Sequence, residues 1–165
     1  MNESLSASAE RVQLYLRQNG FEVTVRELPG STRTAAEAAA TIGCTVGQIA
    51  KSLVFQDKKS GEAILVVASG SNLVDLQRIF AATGLELKRA DGKFIKETVG
   101  FAIGGIPPVG HAVPLRTLLD PDLLQYPVIW AAAGTPHAVF PLEPQALERL
   151  TAGQWLPLAQ DNPPA

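Results

Sequence analysis

The chain has 165 residues, of which 46% are hydrophobic and 18% are charged, and its formal net charge is −2. This length fits one domain with its own hydrophobic core, and the charge argues against a strongly basic nucleic-acid-binding protein. The single cysteine, Cys44, cannot form an intramolecular disulfide, which favours a reducing compartment. No segment resembles a signal peptide or reaches the ~20 apolar residues of a membrane helix. We therefore expect a cytoplasmic protein without a membrane partner.

The charges are distributed unevenly along the chain. Residues 51–96 contain eight Lys or Arg and five Asp or Glu, whereas residues 120–165 contain one Lys or Arg and five Asp or Glu. A locally basic face could contact a few phosphates. The same charges could equally be solvated surface groups, so both interpretations stay open.

Helices and strands are mixed in the first half of the chain. Apolar spacing predicts a helix over residues 5–18, and alternation predicts a strand over residues 21–28. Residues 34–37 and 45–48 both have the capping-box pattern that begins a helix. A β-hairpin is predicted next, with strands at 51–56 and 63–68.

Caps and loops divide the rest of the chain. The pattern predicts a helix capped by residues 69–72 and a helix at 92–98 capped by Asp91, followed by a loop at 100–110. After the loop it predicts a strand at 113–119, a helix starting at Asp120-Pro121, strands at 127–133 and 138–140, and a helix at 144–150. We expect one domain over residues 1–156 and a disordered proline-rich tail over residues 157–165. The fold class is predicted to be α+β, with a curved, mixed, mainly antiparallel sheet flanked by helices.

Lys51 is the first candidate functional residue. In a strand it shares a face with Leu53 and Phe55, whose large apolar side chains should point inward, while Ser52, Val54 and Gln56 form the weaker face. Lysine is almost never fully buried, so an ammonium there could bind a phosphate or ribose oxygen in a cleft. The alternative is a strand-end lysine that extends to water.

The second candidate is the loop from Gly104 to His111, with the sequence Gly-Gly-Ile-Pro-Pro-Val-Gly-His. Glycine allows close approach of the backbone to a ligand and proline stiffens a loop. Such a loop could present the N–H groups of Gly105 and Ile106 to the oxyanion of ester hydrolysis. The alternative is a structural turn.

Other reactive groups give weaker signals. His111 and His137 are the only histidines and could act as general bases. No metal-ligand spacing, nucleophile elbow or phosphate loop is present, so we expect no metal and no cofactor. Cys44 could be a nucleophile, but at a helix end it is more typical of a small buried side chain.

A third block of small residues follows a predicted strand. Ala131, Ala132, Ala133 and Gly134 leave space for another group to approach the sheet. Close packing against a helix and a pocket wall are both compatible with this pattern.

Taken together, three blocks resemble the YbaK/ProX family of aminoacyl-tRNA deacylases, which are related to the editing domain of prolyl-tRNA synthetase. The blocks are residues 49–55, 104–111 and 130–140, and the resemblance covers roughly residues 20–152. It implies a free-standing domain that hydrolyses the ester joining a wrong amino acid to the terminal adenosine of a tRNA. It also implies attack by water or by a group of the substrate, without a protein nucleophile or a metal.

The resemblance implies roles for individual residues. Lys51 would hold the phosphate or ribose of the terminal adenosine, and Gly104 and Gly105 would orient the ester. The residues expected to contact substrate are Ile106, Pro108, His111, Ala132, Gly134 and His137. His111 would either organise the attacking water or cap the loop. The expected partners are the 3′ end of a mischarged tRNA and a synthetase or elongation factor that delivers it.

Two points remain open at this level. Some cysteine-specific relatives have Ser or Gly at small positions where this chain has Ala131, Ala132 and Ala133, so the edited amino acid is not determined. The low net charge also permits a binding module that recognises an aminoacyl nucleotide or a protein without hydrolysing it. A general small-ester hydrolase would lack a visible nucleophile.

Overall fold

A computed structural model of the chain describes residues 5–101 and 103–161. The α-helices in these residues are α1 (Ala7–Gln18), α2 (Ala35–Ile42), α3 (Leu76–Thr83), α4 (Gly92–Val99) and α5 (Pro144–Thr151). The strands are β1 (Arg26–Glu27), β2 (Ile49–Asp57), β3 (Ala63–Ser69), β4 (Leu87–Arg89), β5 (Arg116–Leu119), β6 (Ile129–Ala132), β7 (Ala138–Leu142) and β8 (Gln154–Trp155). Two 3-10 helices, Val46–Gln48 and Pro121–Gln125, precede β2 and β6.

These strands form one sheet in the order β1-β7-β6-β2-β3-β5-β8, and β4 pairs with β2 off this path. β2 and β3 form the predicted hairpin, in which Gln56 lies opposite Ala63. The β2–β4, β6–β7 and β1–β7 contacts are also antiparallel, whereas β2–β6, β3–β5 and β5–β8 are parallel. The predicted α+β class with a mixed, mainly antiparallel sheet is confirmed.

Both faces of the central sheet are buried. Every residue of β3 is inaccessible or nearly so. One face packs against α1, α4 and α5 in a large apolar cluster, and the other packs against α3 in a second cluster. The expectation that Ser52, Val54 and Gln56 form the weaker face of β2 is therefore wrong for Val54, which is buried in the larger cluster.

One edge of β2 is only partly paired. β6 pairs with Ile49 and Ala50, and β4 pairs with the other end of the strand, from Phe55 to Asp57. Residues 51–54 therefore have no strand partner on this side, although β3 continues along the other side. We call this interruption the edge gap.

The segment expected to be a strand over residues 21–28 is a strand only at Arg26–Glu27. The side chain of Gln13 in α1 explains the difference. Its Nε2 donates to the carbonyl oxygen of Val23 and its Oε1 accepts from the N–H of Val25, both at 2.8 Å. A helix side chain thus replaces the neighbouring strand that this segment would otherwise need.

The predicted caps of α2 and α4 are confirmed. The side chains of Thr34 and Asp91 each accept a hydrogen bond from the backbone N–H three residues later. The prediction for α3 is wrong, because Asp75 caps this helix and residues 69–72 form a separate loop. Residues 45–48 begin a 3-10 helix, and the short strands β4 and β8 were not predicted.

The loop at residues 69–72 is fixed by Asp120. Its buried carboxylate accepts from the N–H of Ser69 at 3.0 Å and from Nδ2 of Asn72 at 2.8 Å. The same side chain accepts from the N–H of Asp122 at 3.0 Å, as its predicted capping role requires. One carboxylate therefore connects this loop to the segment before β6.

Residues 157–161 do not form the disordered tail expected from their composition. Leu158 is fully buried in the cluster beside α3, and its carbonyl oxygen accepts from the N–H of Asp75 at 2.7 Å. Ala159 forms a β-bridge with Val74. Hydrophobic burial outweighs the proline content here, and residues 162–165 lie outside the described part of the chain.

We expect Leu158→Ala to lower the free energy of unfolding by about 2–4 kcal/mol, because the substitution leaves a cavity in a packed apolar cluster. Urea denaturation measures this change. Pro157→Ala, at an exposed neighbouring position, leaves no cavity and should change it by about 1 kcal/mol or less, through the greater freedom of the unfolded chain. Equal stability of Leu158→Ala and the wild type would mean that this segment does not pack against α3.

Candidate active site

A cavity of about 510 Å³ lies at the edge gap. This volume is typical of pockets that bind small ligands or parts of larger ones. The walls come from β2, from the segment before α2, from the loop after α4 and from β6. The cavity exists because no strand fills the space beside residues 51–54 of β2.

Backbone pairing brings the three sequence blocks to this cavity. Parallel pairing places Ile49 beside Trp130 and Ala50 beside Ala131, which joins the first block to the third. The carbonyl oxygen of Gly105 in the second block accepts a hydrogen bond from the N–H of Gly134 in the third block, at 2.8 Å. Lys51 and the glycine-proline loop therefore line one cleft, as the sequence predicted.

Gly105 allows the loop to pack directly on the third block. A Cβ atom at this position would lie 2.6 Å from backbone atoms of Thr135, closer than any real contact. Gly104 has a φ of +102°, which favours glycine. Glycine is therefore required at position 105 to avoid a steric clash and is favoured at position 104 by the backbone conformation.

The loop presents a backbone donor at the cavity wall. Gly105 and Ile106 are both buried and both line the cavity. The turn at residues 103–104 is closed by the N–H of Gly105, whereas the N–H of Ile106 donates to no acceptor among residues 5–101 and 103–161. Buried N–H groups are usually paired, so the N–H of Ile106 is available to an oxygen atom of a ligand.

Lys51 is partly buried at the opposite wall. Its Nζ donates to the carbonyl oxygens of Asn72 and Gly70, at 2.5 and 3.4 Å. Burial lowers the pKa of Lys51, and the nearby carboxylate of Asp120 partly offsets this effect. The loop that Asp120 fixes therefore holds the ammonium at the cavity instead of letting it extend to water.

Two arginines add to the positive charge of the cavity. Arg33 and Arg89 join Lys51 in its lining, which contains no Asp or Glu among the described residues. Arg33 lies against Gly104, with its Cγ and Nε 3.4 Å from the position of a Cβ atom there. Neither arginine was predicted from the sequence, because neither belongs to a recognisable block.

Two hydroxyl groups were also missed. Thr32 and Ser52 line the cavity, and their side-chain oxygens are buried without a hydrogen-bond partner in the described residues. Sequence gives no signal for an unpaired hydroxyl, since its pairing depends on the folded surroundings.

The predicted substrate-contacting residues divide into two sets. Ile106 and Ala132 line the cavity, whereas Pro108, His111, Gly134 and His137 do not. Gly134 packs against α1, where a Cβ atom would lie 2.9 Å from the carbonyl oxygen of Ser8. Of the two interpretations of the small-residue block, pocket wall thus fits Ala132 and close packing fits Gly134.

Both histidines bond to backbone carbonyls outside the cavity lining. His111 donates from Nε2 to the carbonyl oxygen of Pro107 at 2.7 Å, within its own loop. Burial lowers the pKa of His111, the bond to Pro107 partly offsets this, and Arg11 lowers it further. His137 is exposed, and its Nδ1 donates to the carbonyl oxygen of Gly30 at 2.9 Å.

Arg11 of α1 holds both ends of the segment from Gly100 to Gly110, which contains most of the second block. Its guanidinium donates to the carbonyl oxygens of Gly100 and Gly110, at 3.2 and 2.8 Å. It also stacks on the ring of Phe101, 4.4 Å from the centroid. The loop is therefore clamped from behind by a helix that does not itself line the cavity.

Two other kinds of site are absent from residues 5–101 and 103–161. No cluster of three or more His, Cys, Asp or Glu side chains there could hold a metal ion. No helix there combines the length and the hydropathy required to cross a bilayer.

Comparison with known proteins agrees with the three blocks. The family model described as aminoacyl-tRNA editing domain matches residues 30–150. YwhH of Bacillus subtilis (strain 168) is 28% identical over 155 residues, which are 93% of this chain and 98% of YwhH. EbsC of Enterococcus faecalis, proposed to be a Cys-tRNA(Pro)/Cys-tRNA(Cys) deacylase, is 30% identical over 74% of each chain.

A crystal structure shares the fold over nearly the whole chain. That protein is proposed to be a trans-editing enzyme for prolyl-tRNA synthetase. Its structure superposes on this chain with a TM-score of 0.89 and 50% sequence identity, and the match covers 96% of this chain and 100% of the other. The predicted resemblance and the predicted editing of mischarged tRNA are confirmed. The chain belongs to the aminoacyl-tRNA editing domain family and is an aminoacyl-tRNA deacylase.

Proposed function

We propose that the cavity at the edge gap is the active site in which the ester of a mischarged tRNA is hydrolysed. The observation that carries this proposal is that Lys51 and the Gly104–Gly105 loop line one cleft. Lys51 holds a phosphate or ribose oxygen of the terminal adenosine. The loop holds the ester carbonyl.

The charge of the cavity supports binding of a tRNA end. Lys51, Arg33 and Arg89 are three cations around a cavity without a described carboxylate, in a protein whose net charge is −2. Phosphate contacts by Lys and Arg supply most of the sequence-independent affinity for nucleic acids. The positive charge is therefore concentrated where the substrate's terminal phosphate would lie.

The loop supports catalysis by electrostatic stabilisation. The N–H of Ile106, which has no acceptor among the described residues, can donate to the carbonyl oxygen as it becomes an oxyanion. Clamping by Arg11 keeps this donor in place before the substrate binds. Preorganised donors of this kind are worth about 10²–10³ in rate where they have been removed singly.

Water is the proposed nucleophile. Its oxygen attacks the carbonyl carbon, the bond to the ribose oxygen breaks, and that oxygen leaves with a proton as free tRNA and amino acid form. Cys44 does not line the cavity, and burial raises the pKa of its thiol, which disfavours the thiolate. Neither His111 nor His137 lines the cavity, so Ser52 has no imidazole base there, and His111 is proposed to cap the loop.

The aminoacyl side chain is proposed to lie on small apolar residues. Ala50, Ala131 and Ala132 line the cavity beside Ile106 and Val139. This surface favours a small apolar or weakly polar side chain. An apolar pocket discriminates each methylene by only about 1–3 kcal/mol, so selectivity also requires contacts to the tRNA or to a delivering protein.

A synthetase is the proposed delivery partner, in the cytoplasm. The small negative net charge gives little long-range attraction to tRNA, and a synthetase complex supplies tRNA at high local concentration. The similarity to a protein proposed to act in trans for prolyl-tRNA synthetase agrees with this choice. All elements that line the cavity belong to the same sheet or its flanking segments, which supports a single domain as the acting unit.

Lys51→Ala should lower kcat/KM for deacylation by about 10- to 100-fold, because the substrate loses a charge-assisted hydrogen bond. A panel of mischarged tRNAs, followed by release of the labelled amino acid, measures this loss. Lys88→Ala removes the same charge from an exposed residue of β4 outside the cavity and should retain wild-type activity. Equal activity of Lys51→Ala and the wild type would remove Lys51 from the mechanism.

As pH rises, substrate binding should begin to weaken at a lower pH than it would with a solvent-exposed lysine, because burial lowers the pKa of Lys51. As pH rises through that lowered pKa, the ammonium loses its proton and its attraction for phosphate. Affinity for a non-hydrolysable aminoacyl-amide analogue of the tRNA 3′ end, measured from pH 7 to 10, tests this. Lys51→Arg keeps its charge because the guanidinium group stays protonated throughout this pH range.

The ligand's own ionisation is common to both proteins, so the difference between their two pH profiles reports on Lys51. We expect affinity to fall more steeply in the wild type than in Lys51→Arg. Parallel profiles would contradict a role for the ammonium in binding.

A further inference from the structure

Two residues that line the cavity have the buried side-chain polar atoms that lack a partner in the described residues. These atoms are Oγ1 of Thr32 and Oγ of Ser52. Thr32 is only 6% exposed, so its hydroxyl cannot be satisfied from the open surface. Buried polar groups in native proteins are nearly always hydrogen-bonded, and an unpaired one costs about 1–3 kcal/mol. That both residues line one cavity points to a bound molecule as the partner, which each hydroxyl reaches by rotation of its side chain.

Thr32 lies beside the loop that orients the ester. Its N–H donates to the carbonyl oxygen of Pro136 at 2.6 Å. The Gly105 carbonyl accepts from Gly134, and the Gly105 Cα packs on the backbone of Thr135. Thr32 and Gly105 are thus attached to consecutive residues of the same segment. The hydroxyl therefore lies close to the place of the ester carbonyl.

Ser52 brings a second set of polar atoms to the edge gap. The bonds from Gly70 N–H to Ile49 O, at 2.7 Å, and from Asp57 N–H to Glu62 O, at 2.9 Å, belong to the ladder between β2 and β3. Hydrogen bonding alternates along an antiparallel strand, so the odd-numbered residues of β2 bond to β3. The backbone N–H and C=O of Ser52 consequently face the edge gap, together with its unpaired hydroxyl.

The substrate has a group whose position and chemistry fit these atoms. In every aminoacyl ester the α-amino nitrogen is two bonds from the carbonyl carbon, so it must lie beside the ester loop. A free α-amine has a pKa of about 8, and three cations without a described carboxylate favour its neutral form in this cavity. A neutral amine has N–H donors and one lone pair. Hydroxyl groups, which both donate and accept, complement it.

We propose that the hydroxyls of Thr32 and Ser52, with the Ser52 carbonyl, bind the α-amino group of the aminoacyl ester. This inference rests on the proposed active site and assigns it two specificity-determining residues. They select an ester with an α-amine over the same acyl ester without one. A site that must hydrogen-bond its substrate rejects analogues lacking that group far more strongly than an apolar pocket rejects a methylene.

The test compares two substrates that differ only in the α-amine. One is an aminoacyl-tRNA that the wild type deacylates, and the other is its desamino counterpart, charged with the same acyl group without nitrogen. Thr32→Val and Ser52→Ala should each lower kcat/KM about 10- to 100-fold on the aminoacyl-tRNA. They should leave the desamino substrate unchanged. Thr32→Ser keeps the hydroxyl and should retain activity, and Thr24→Val controls for the same change at an exposed site.

Equal losses on both substrates would assign the hydroxyls to the terminal ribose and overturn the proposal, as would no loss on either. The same comparison by affinity, with non-hydrolysable aminoacyl-amide and desamino analogues of the tRNA 3′ end, does not depend on turnover. The inference is supported if the wild type binds the amine analogue about tenfold or more tightly than the desamino analogue and if Thr32→Val and Ser52→Ala remove this preference. This result would stand even if the proposed roles of Lys51 and the loop fail. Equal affinity for both analogues overturns it.

Thermal unfolding separates binding from a structural role. Neither hydroxyl bonds to another described residue, so Thr32→Val and Ser52→Ala remove no hydrogen bond within the described fold and should not lower Tm. A fall in Tm of several degrees, with equal losses on both substrates, would show that the hydroxyls serve the fold and would overturn the proposal.

Discussion

The interruption of pairing along one edge of β2 is the feature on which the site depends. β6 and β4 occupy the two ends of that edge, and the residues between them face a cavity instead of a strand. Pairing with β3 along the opposite edge continues across the gap. A sheet thus supplies main-chain donors and acceptors to a ligand without exposing a long edge, which would invite aggregation.

The same region concentrates positive charge in a protein of negative net charge. Lys51 illustrates how this is achieved. A buried carboxylate, Asp120, does not contact the cavity but fixes the loop whose carbonyl oxygens hold the ammonium. The cation is therefore positioned by neutral dipoles and not neutralised by a salt bridge. Its charge remains available to a phosphate.

Several features of the site oppose stability. The buried N–H of Ile106 and the buried hydroxyls of Thr32 and Ser52 all lack partners among the described residues. Substrate satisfies each of these in the proposed complex. The rest of the fold offsets the cost through two apolar clusters on either side of the sheet, one completed by Leu158 near the end of the chain. Unfavourable local features gathered in one cavity are typical of functional sites.

The sequence by itself determined the elements whose signals are local. The hairpin, the caps at Thr34 and Asp91, the α+β class and the three blocks follow from periodicity, capping and glycine-proline spacing. The tertiary structure alone decided which side chains meet. It placed Arg33, Thr32 and Ser52 in the cavity and His111 behind the loop, replaced a predicted strand with contacts to Gln13, and packed residues 157–161 on the core. These outcomes depend on contacts between residues that are distant in sequence. The residues next to a hydroxyl or a segment along the chain therefore do not determine whether the hydroxyl is paired or the segment is buried.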